Sequence, residues 1–162
     1  MKSSLLLLLL FFTTLGTAFA QPEDNKEQRL LGPYELDQKG FYKSLDSALA
    51  YPEDGFILSL VDQKLKKIPP EIGQLKNLQV LVLSENKLKR LPDEIGDLDH
   101  LQVISLYHNK LRSIPESFRE LQNLHTLYVG HNRLTALPVW LGGIGKLSRL
   151  DITRNPMTPL EV

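Results

Sequence analysis

The sequence predicts an α/β repeat solenoid, with short parallel strands stacked on one wall and short helical or 3₁₀ returns on the other. Two observations predict it. The first is a template that recurs. Leu78, Leu81, Leu83, Asn86, Leu88, Leu91, Pro92, Ile95 and Leu98 reappear 23 residues on as Leu101, Ile104, Leu106, Asn109, Leu111, Ile114, Pro115, Phe118 and Leu121. They reappear again as Leu124, Leu127, Val129, Asn132, Leu134, Leu137, Pro138, Leu141 and Ile144. A fixed period of this size marks a chain that stacks coil on coil. The second is the pattern inside each unit. The pairs 81/83, 104/106, 127/129 and 150/152 alternate at period two, which points them inward from a short strand. The Pro that follows, and the P-x-x-I-G-x-L run after it, fit an extended turn and a short helical or 3₁₀ return.

Taken in order, Met1 to Ala20 reads as a secretory signal peptide. Lys2 is a minimal basic start, Leu5 to Phe12 is apolar without a break, and Ala18-Phe19-Ala20 is a small-x-small cleavage site. The apolar run is short for a membrane span, although an uncleaved anchor is the competing reading. Residues 21–54 form an N-terminal tail and capping helix. Gln21 to Gln28 is polar and predicted to be disordered, and Gly32-Pro33 signals a turn. Ser44 to Ala50 is predicted as a short helix with Ser44 as N-cap and Leu45, Ala48 and Leu49 on its apolar face. A solenoid end is an open hydrophobic surface, so this helix is expected to cover it, helped by Tyr34, Phe41 and Tyr42. Residues 55–162 are the repeat domain, with about five coils. The first, Gly55 to Asn77, is degenerate: Gly55 stands for the leading Leu and Gln63 for the Asn. The fifth, Leu147 to Leu160, is truncated, with Pro156 and Pro159 denying donors to a strand that would pair with it.

The template L-x-x-L-x-L-x-x-N-x-L-x-x-L-P resembles the leucine-rich-repeat family in its 23-residue class, over Gly55 to about Leu160. It is similar to exported bacterial proteins of that family, including those of spirochaetes. The resemblance implies a horseshoe with the strands on the concave wall, and a role in meeting host or envelope partners.

Composition narrows the function. No cysteine occurs, which removes disulfide caps, Cys metal sites and a lipidated Cys at the cleavage point. Losing Lys2 with the leader leaves 18 basic against 19 acidic residues. That balance suggests neither nucleic acid nor an anionic membrane as partner. The sequence has no Cys nucleophile, no G-x-S-x-G and no phosphate-cradling Gly loop, so no enzyme and no cofactor are expected. Gly142-Gly143 with Gly145 reads as a tight turn.

Binding is expected on the outward strand face, the usual working surface of a solenoid. Counting from the leading Leu, positions 2, 3, 5, 7 and 8 point outward, and equal positions in adjacent coils become neighbours. The expected partner-binding residues are Val82, Glu85, Tyr107, His108, His125, Tyr128, His131, Arg149, Asp151 and Arg154. Tyr and Arg are enriched at binding hot spots, and a solvated sheet face is the plain alternative. Glu85, His108 and His131 share one column, where imidazole and carboxylate could also ligate Zn²⁺. Val139-Trp140 replaces the acidic pair of earlier coils, as a cover over Met157 and Leu160 or as a self-association patch. The expectation is thus an exported protein, periplasmic, surface-bound or secreted, that binds a protein partner. A self-associating envelope protein is the alternative.

Overall fold

The computed structural model describes residues 40–158. The leader at 1–20, the polar tail at 21–28, Tyr34, Pro159 and Leu160 lie outside the described residues. Six parallel strands follow one another in chain order: β1 (Phe41–Tyr42), β2 (Ile57–Ser59), β3 (Val80–Val82), β4 (Val103–Ser105), β5 (Thr126–Tyr128) and β6 (Arg149–Asp151). The register is uniform, with Ile57 beside Val80, Val80 beside Val103, Val103 beside Thr126 and Thr126 beside Arg149. Strand β1 is not foreseen by the repeat template. It has two residues and no template leucines, yet Phe41 pairs with Ile57 and Tyr42 with Leu58. Between β1 and β2 lies α1 (Leu45–Ala50), begun by Ser44, whose side chain accepts from Ser47 N at 3.2 Å. Ala48 is fully buried, and Leu45 and Leu49 pack on the same core.

The returns are 3₁₀ segments at Pro70–Gln74, Asp93–Asp97, Glu116–Glu120 and Val139–Gly143. A Pro precedes each one, with φ between −76° and −57°, at 69, 92, 115 and 138. The ring fixes φ near that value and sets the extended entry. With five residues per return there is no room for α-helical bonds to propagate. The closing leucine instead donates three residues back, as Leu98 N does to Ile95 O at 3.2 Å.

The core lies between the strands and the returns. Leu58, Leu81, Ile104 and Leu127 are fully buried at one template position, and Ile72, Ile95 and Phe118 are buried opposite them. Burying each such side chain contributes about 1.5–3 kcal/mol. Leu150 holds the same position as Leu127 but is 38% exposed, because no described coil stacks beyond it.

The asparagines close each turn. Asn109 Nδ2 donates to Leu83 O at 2.9 Å in the coil before and to Leu106 O at 3.1 Å in its own, while Oδ1 accepts Leu88 N at 3.0 Å. Asn86 and Asn132 repeat this pattern one coil to either side. Gln63, the degenerate member, reaches back with Nε2 to Lys43 O at 2.7 Å. A parallel device appears at the last position of each coil. Asn77 donates to Glu53 O, His100 bonds Lys76 O and Asn123 donates to Asp99 O, at 2.8–3.0 Å.

The returns pack closely enough to select glycine. A Cβ on Gly96 would lie 2.5 Å from Ser117 O and 2.7 Å from Ser117 Cβ, whereas one on Gly142 would meet nothing within 4 Å. Gly96→Ala therefore lowers stability by about 1–3 kcal/mol, the usual cost of overpacking. Gly142→Ala, with no such clash, is neutral or slightly stabilising. Urea unfolding of the two variants side by side checks this. The glycines at 142 and 143 lie inside the 3₁₀ return, and no described glycine has positive φ. Gly145 lies in the turn that follows, so the run is a 3₁₀ return and a turn in place of a ligand cradle.

Candidate protein-binding face

The inward leucines of each strand leave positions 3 and 5 facing out, and position 8 follows at the turn. All five position-8 residues are left-handed: Asp62, Glu85, His108, His131 and Arg154 have φ of 53–60°. The template does not reveal this, because none of them is glycine. Asp and His tolerate that region better than most side chains. Backbone bonds to the next coil hold the turn, with Glu85 N donating to Tyr107 O at 2.9 Å and His131 N to Thr153 O at 2.8 Å.

Four of the predicted residues come together here. The His108 and His131 rings stack at 4.1 Å between centroids, inclined by 30°, and Tyr107 lies 4.9 and 4.7 Å from them. Glu85 Oε2 is 3.4 Å from His108 Nδ1, with both side chains nearly half exposed. Gly130 makes room for Tyr107, since a Cβ there would come within 3.1 Å of the Tyr107 ring, Asp151 Oδ2 and Thr153 Oγ1. One column over, Arg149 Nη1 lies 3.4 Å from the Tyr128 hydroxyl, and Tyr128 is in register with Asp151. Asp151 Oδ1 accepts Thr153 N at 2.8 Å, which stiffens the last turn. Tyr107 and Tyr128, on adjoining coils, are both partly exposed, and Arg149 and Arg154 are exposed.

Two predicted positions are less accessible than expected. Val82 is 6% exposed and packs with Ile57 and Val80 in a small apolar cluster on the strand face. It contributes to the sheet more than to a surface. Position 2 turns away from the open face altogether. Gln79 and Gln102 are 1% and 5% exposed, and Gln102 Nε2 donates to Gln79 Oε1 at 2.7 Å, forming a buried amide ladder. His125 continues that column, half-buried at the rim. The Zn²⁺ alternative also loses its geometry. The imidazoles stack instead of converging, and no group of three His, Cys, Asp or Glu among the described residues is placed to hold a metal ion. Trp140 packs on the main core together with Met157, and Val139 beside it is 98% exposed.

Two histidines resist protonation. Lost hydration pushes His125 below the ordinary histidine value, with the Lys146 charge adding to it and a backbone bond at Asn123 opposing. Lost hydration also lowers His131, then the His108 and Arg154 charges, against the carboxylates of Asp151 and Glu85. For a depressed histidine the unfolded chain binds the proton more tightly than the folded one. Its contribution is complete above pH 6.5 and is lost as pH falls below it. The melting temperature is therefore expected to drop between pH 7.5 and pH 5, and to drop less in His125→Asn. An equal drop in both would place the titration elsewhere.

Beside the position-8 column runs an open groove of about 530 Å³, with Asn86, Asn109 and Asn132 along its floor. Its far wall carries Lys64, Lys87 and Lys110. These lysines are not among the residues expected to bind, although the 23-residue alignment, carried two residues past position 8, lines them up.

No helix among the described residues is long and apolar enough to cross a membrane. The family model described as "leucine-rich repeat region" matches residues 81–161. No curated protein is detectably similar to the chain. Among solved structures, a leucine-rich-repeat protein of Leptospira interrogans is 36% identical, with a TM-score of 0.52, over 72% of this chain and 36% of its own. The BIR3–SERK2 complex from Arabidopsis thaliana gives 31% identity and a TM-score of 0.59, over 64% of this chain and 58% of the other. Internalin C2 from Listeria monocytogenes, at 20% identity and a TM-score of 0.62, covers 74% of this chain and 50% of its own, and shares the fold. This chain thus spans about a third to just over half the length of these relatives.

Proposed function

The chain belongs to the leucine-rich-repeat family, and from that premise we propose that it is an exported, non-enzymatic module that binds a protein partner on the outward strand face. One observation supports the reading: Arg149 reaches the Tyr128 hydroxyl from the next coil, and Tyr107 on the coil before packs on His108 and His131, all outside the main core. Aromatic and Arg side chains grouped in this way are the types that dominate interface energetics. The Arabidopsis relative was captured as a complex of two proteins, which supports a binding role. The signal-peptide pattern at 1–20 supports export, and the resemblance to exported spirochaete proteins of the family favours a host or envelope protein as partner. Within this reading α1 serves as the N-terminal cap and residues 55–162 as the repeat domain.

The test is a pull-down from host and envelope extracts with the exported chain. Replacing Tyr107, Tyr128 and Arg149 together by Ala is expected to abolish capture, since hot-spot residues each contribute about 2 kcal/mol or more. Retained affinity with an intact fold would move the site off this face. A second reading, self-association through the last coil, is favoured by the exposure of Leu150 and Val139. Solution mass separates the two readings: a dimer that dissociates on Trp140→Glu supports the second, and a monomer excludes it.

A further inference from the structure

The formal charge of this chain is zero, but the charges are sorted by position in the repeat. The segments 64–67, 87–90, 110–113 and 133–136 read KLKK, KLKR, KLRS and RLTA, with no acid among them. Each follows the turn closed by Gln63, Asn86, Asn109 or Asn132, so all four lie on the edge where the strands end. In uniform register, Lys64, Lys87, Lys110 and Arg133 form a column that rises about 4.8 Å per coil. Backbone bonds tie its members coil to coil, with Lys87 N, Lys110 N and Arg133 N each donating 2.8 Å to the preceding coil. Lys66, Lys67, Lys89, Arg90 and Arg112 extend the column sideways. Most of the nearby acids sit on the 3₁₀ returns, at Glu71, Asp93, Glu94, Asp97, Glu116 and Glu120, while Asp62 and Glu85 stand at position 8, in the lining of the groove beside the column.

Two facts lift this rim above an ordinary solvated surface. None of its cations takes part in an ion pair among the described residues, where the pairs are Lys76–Asp97, His108–Glu85 and Arg119–Glu116. Like charges held at fixed spacing outside ion pairs repel one another and raise the local field, which Asp62 and Glu85 offset only at the first two coils. Independently, Lys64, Lys87 and Lys110 of the column line the open groove of about 530 Å³, which they share with the position-8 residues Asp62, Glu85, His108, His131 and Arg154 of successive coils.

We propose that this rim binds a linear anionic polysaccharide, laid along the groove with its sulfate or carboxylate groups against the Lys and Arg column. The site is long and open, which suits a polymer better than a small ion. No aromatic side chain stands in the four segments to stack a base, and the groove's rings, His108 and His131, already stack on each other and on Tyr107. No described helix or two-stranded ribbon projects there to enter a major groove. A charged chain without bases is what remains. The groove adjoins the Tyr107–Tyr128–Arg149 face through the position-8 residues, but the cations replaced below belong to the column alone, so each reading can fail without the other.

The exported chain is titrated by calorimetry with a size-defined heparin-type oligosaccharide, a hyaluronan-type oligosaccharide and a DNA duplex of similar charge. One or both polysaccharides are expected to bind, more weakly by tenfold or more between about 50 and 200 mM salt. Lys87→Gln, Lys110→Gln and Arg133→Gln together should weaken binding by about tenfold or more. The charge-matched control, Lys76→Gln with Arg119→Gln and Lys146→Gln on the other side of the coils, should change it less than twofold. If the rim variant misfolds, Lys87→Arg with Lys110→Arg serves instead and must keep full binding. No polysaccharide binding, equal loss in both triple variants, or DNA bound as tightly as either polysaccharide overturns the proposal.

Discussion

Phe118→Ala is expected to lower the unfolding free energy by about 4 kcal/mol, within the range of 3–5 for removing a buried Phe. Phe118 is fully buried and is among the largest such side chains of the core. Its position in the other coils is held by Ile72, Ile95 and Leu141, so the third coil carries extra volume that its neighbours have packed around. Truncation removes that volume where Pro115 and the 3₁₀ return hold the backbone, and the cavity cannot readily collapse. Urea unfolding measures the loss, with Val139→Ala as reference. Val139 is 98% exposed, and a surface change of that kind falls within about 0.5 kcal/mol. A loss for Phe118→Ala below about 2 kcal/mol would mean that the returns move inward freely. Because each coil contacts its neighbours only, amide exchange should quicken first in coils two to four.

Asn109→Ala should cost about 3 kcal/mol, although it deletes a polar side chain. The amide satisfies Leu83 O and Leu106 O and accepts Leu88 N, and the residue is only 8% exposed. Alanine leaves those backbone groups buried without partners, at about 1–3 kcal/mol for an orphaned group. Asn155 makes the same bonds, to Val129 O, Ile152 O and from Leu134 N, but in the partly exposed last coil. Water can replace it there, so Asn155→Ala should cost about 1 kcal/mol. Equal losses at the two positions would show that the ladder acts through turn conformation and not through buried bonds. Asp at 109 is a sharper probe: it keeps the acceptor for Leu88 N but brings a buried charge to Leu83 O, and should be at least as damaging as Ala.

How far the residues spoke for themselves differs between fold and site. The strand positions, the inward leucines, the Asn contacts, the Ser44 cap and the 3₁₀ returns were all legible, because a repeat states each rule several times. Strand β1 was not. Phe41-Tyr42 is too short to show a period and becomes a strand only by pairing with Ile57-Leu58. The outward columns were legible as lists, and the structure places Tyr107, His108 and His131 in one cluster. Exposure was not legible. Val82 and the Gln79–Gln102 ladder sit at nominally outward positions, yet their lateral neighbours exclude water.

From the sequence by itself came the coil, its period and therefore which residues lie side by side, since uniform spacing turns numbering into geometry. Tertiary structure decided which of those neighbours reach solvent, and which are forced into left-handed turns at Asp62, Glu85, His108, His131 and Arg154. It also decided that the basic column at Lys64, Lys87 and Lys110 opens onto a groove. The physical reason is that spacing along the chain depends on local geometry, whereas burial, ring stacking and field depend on what the adjacent coils place above and below each side chain.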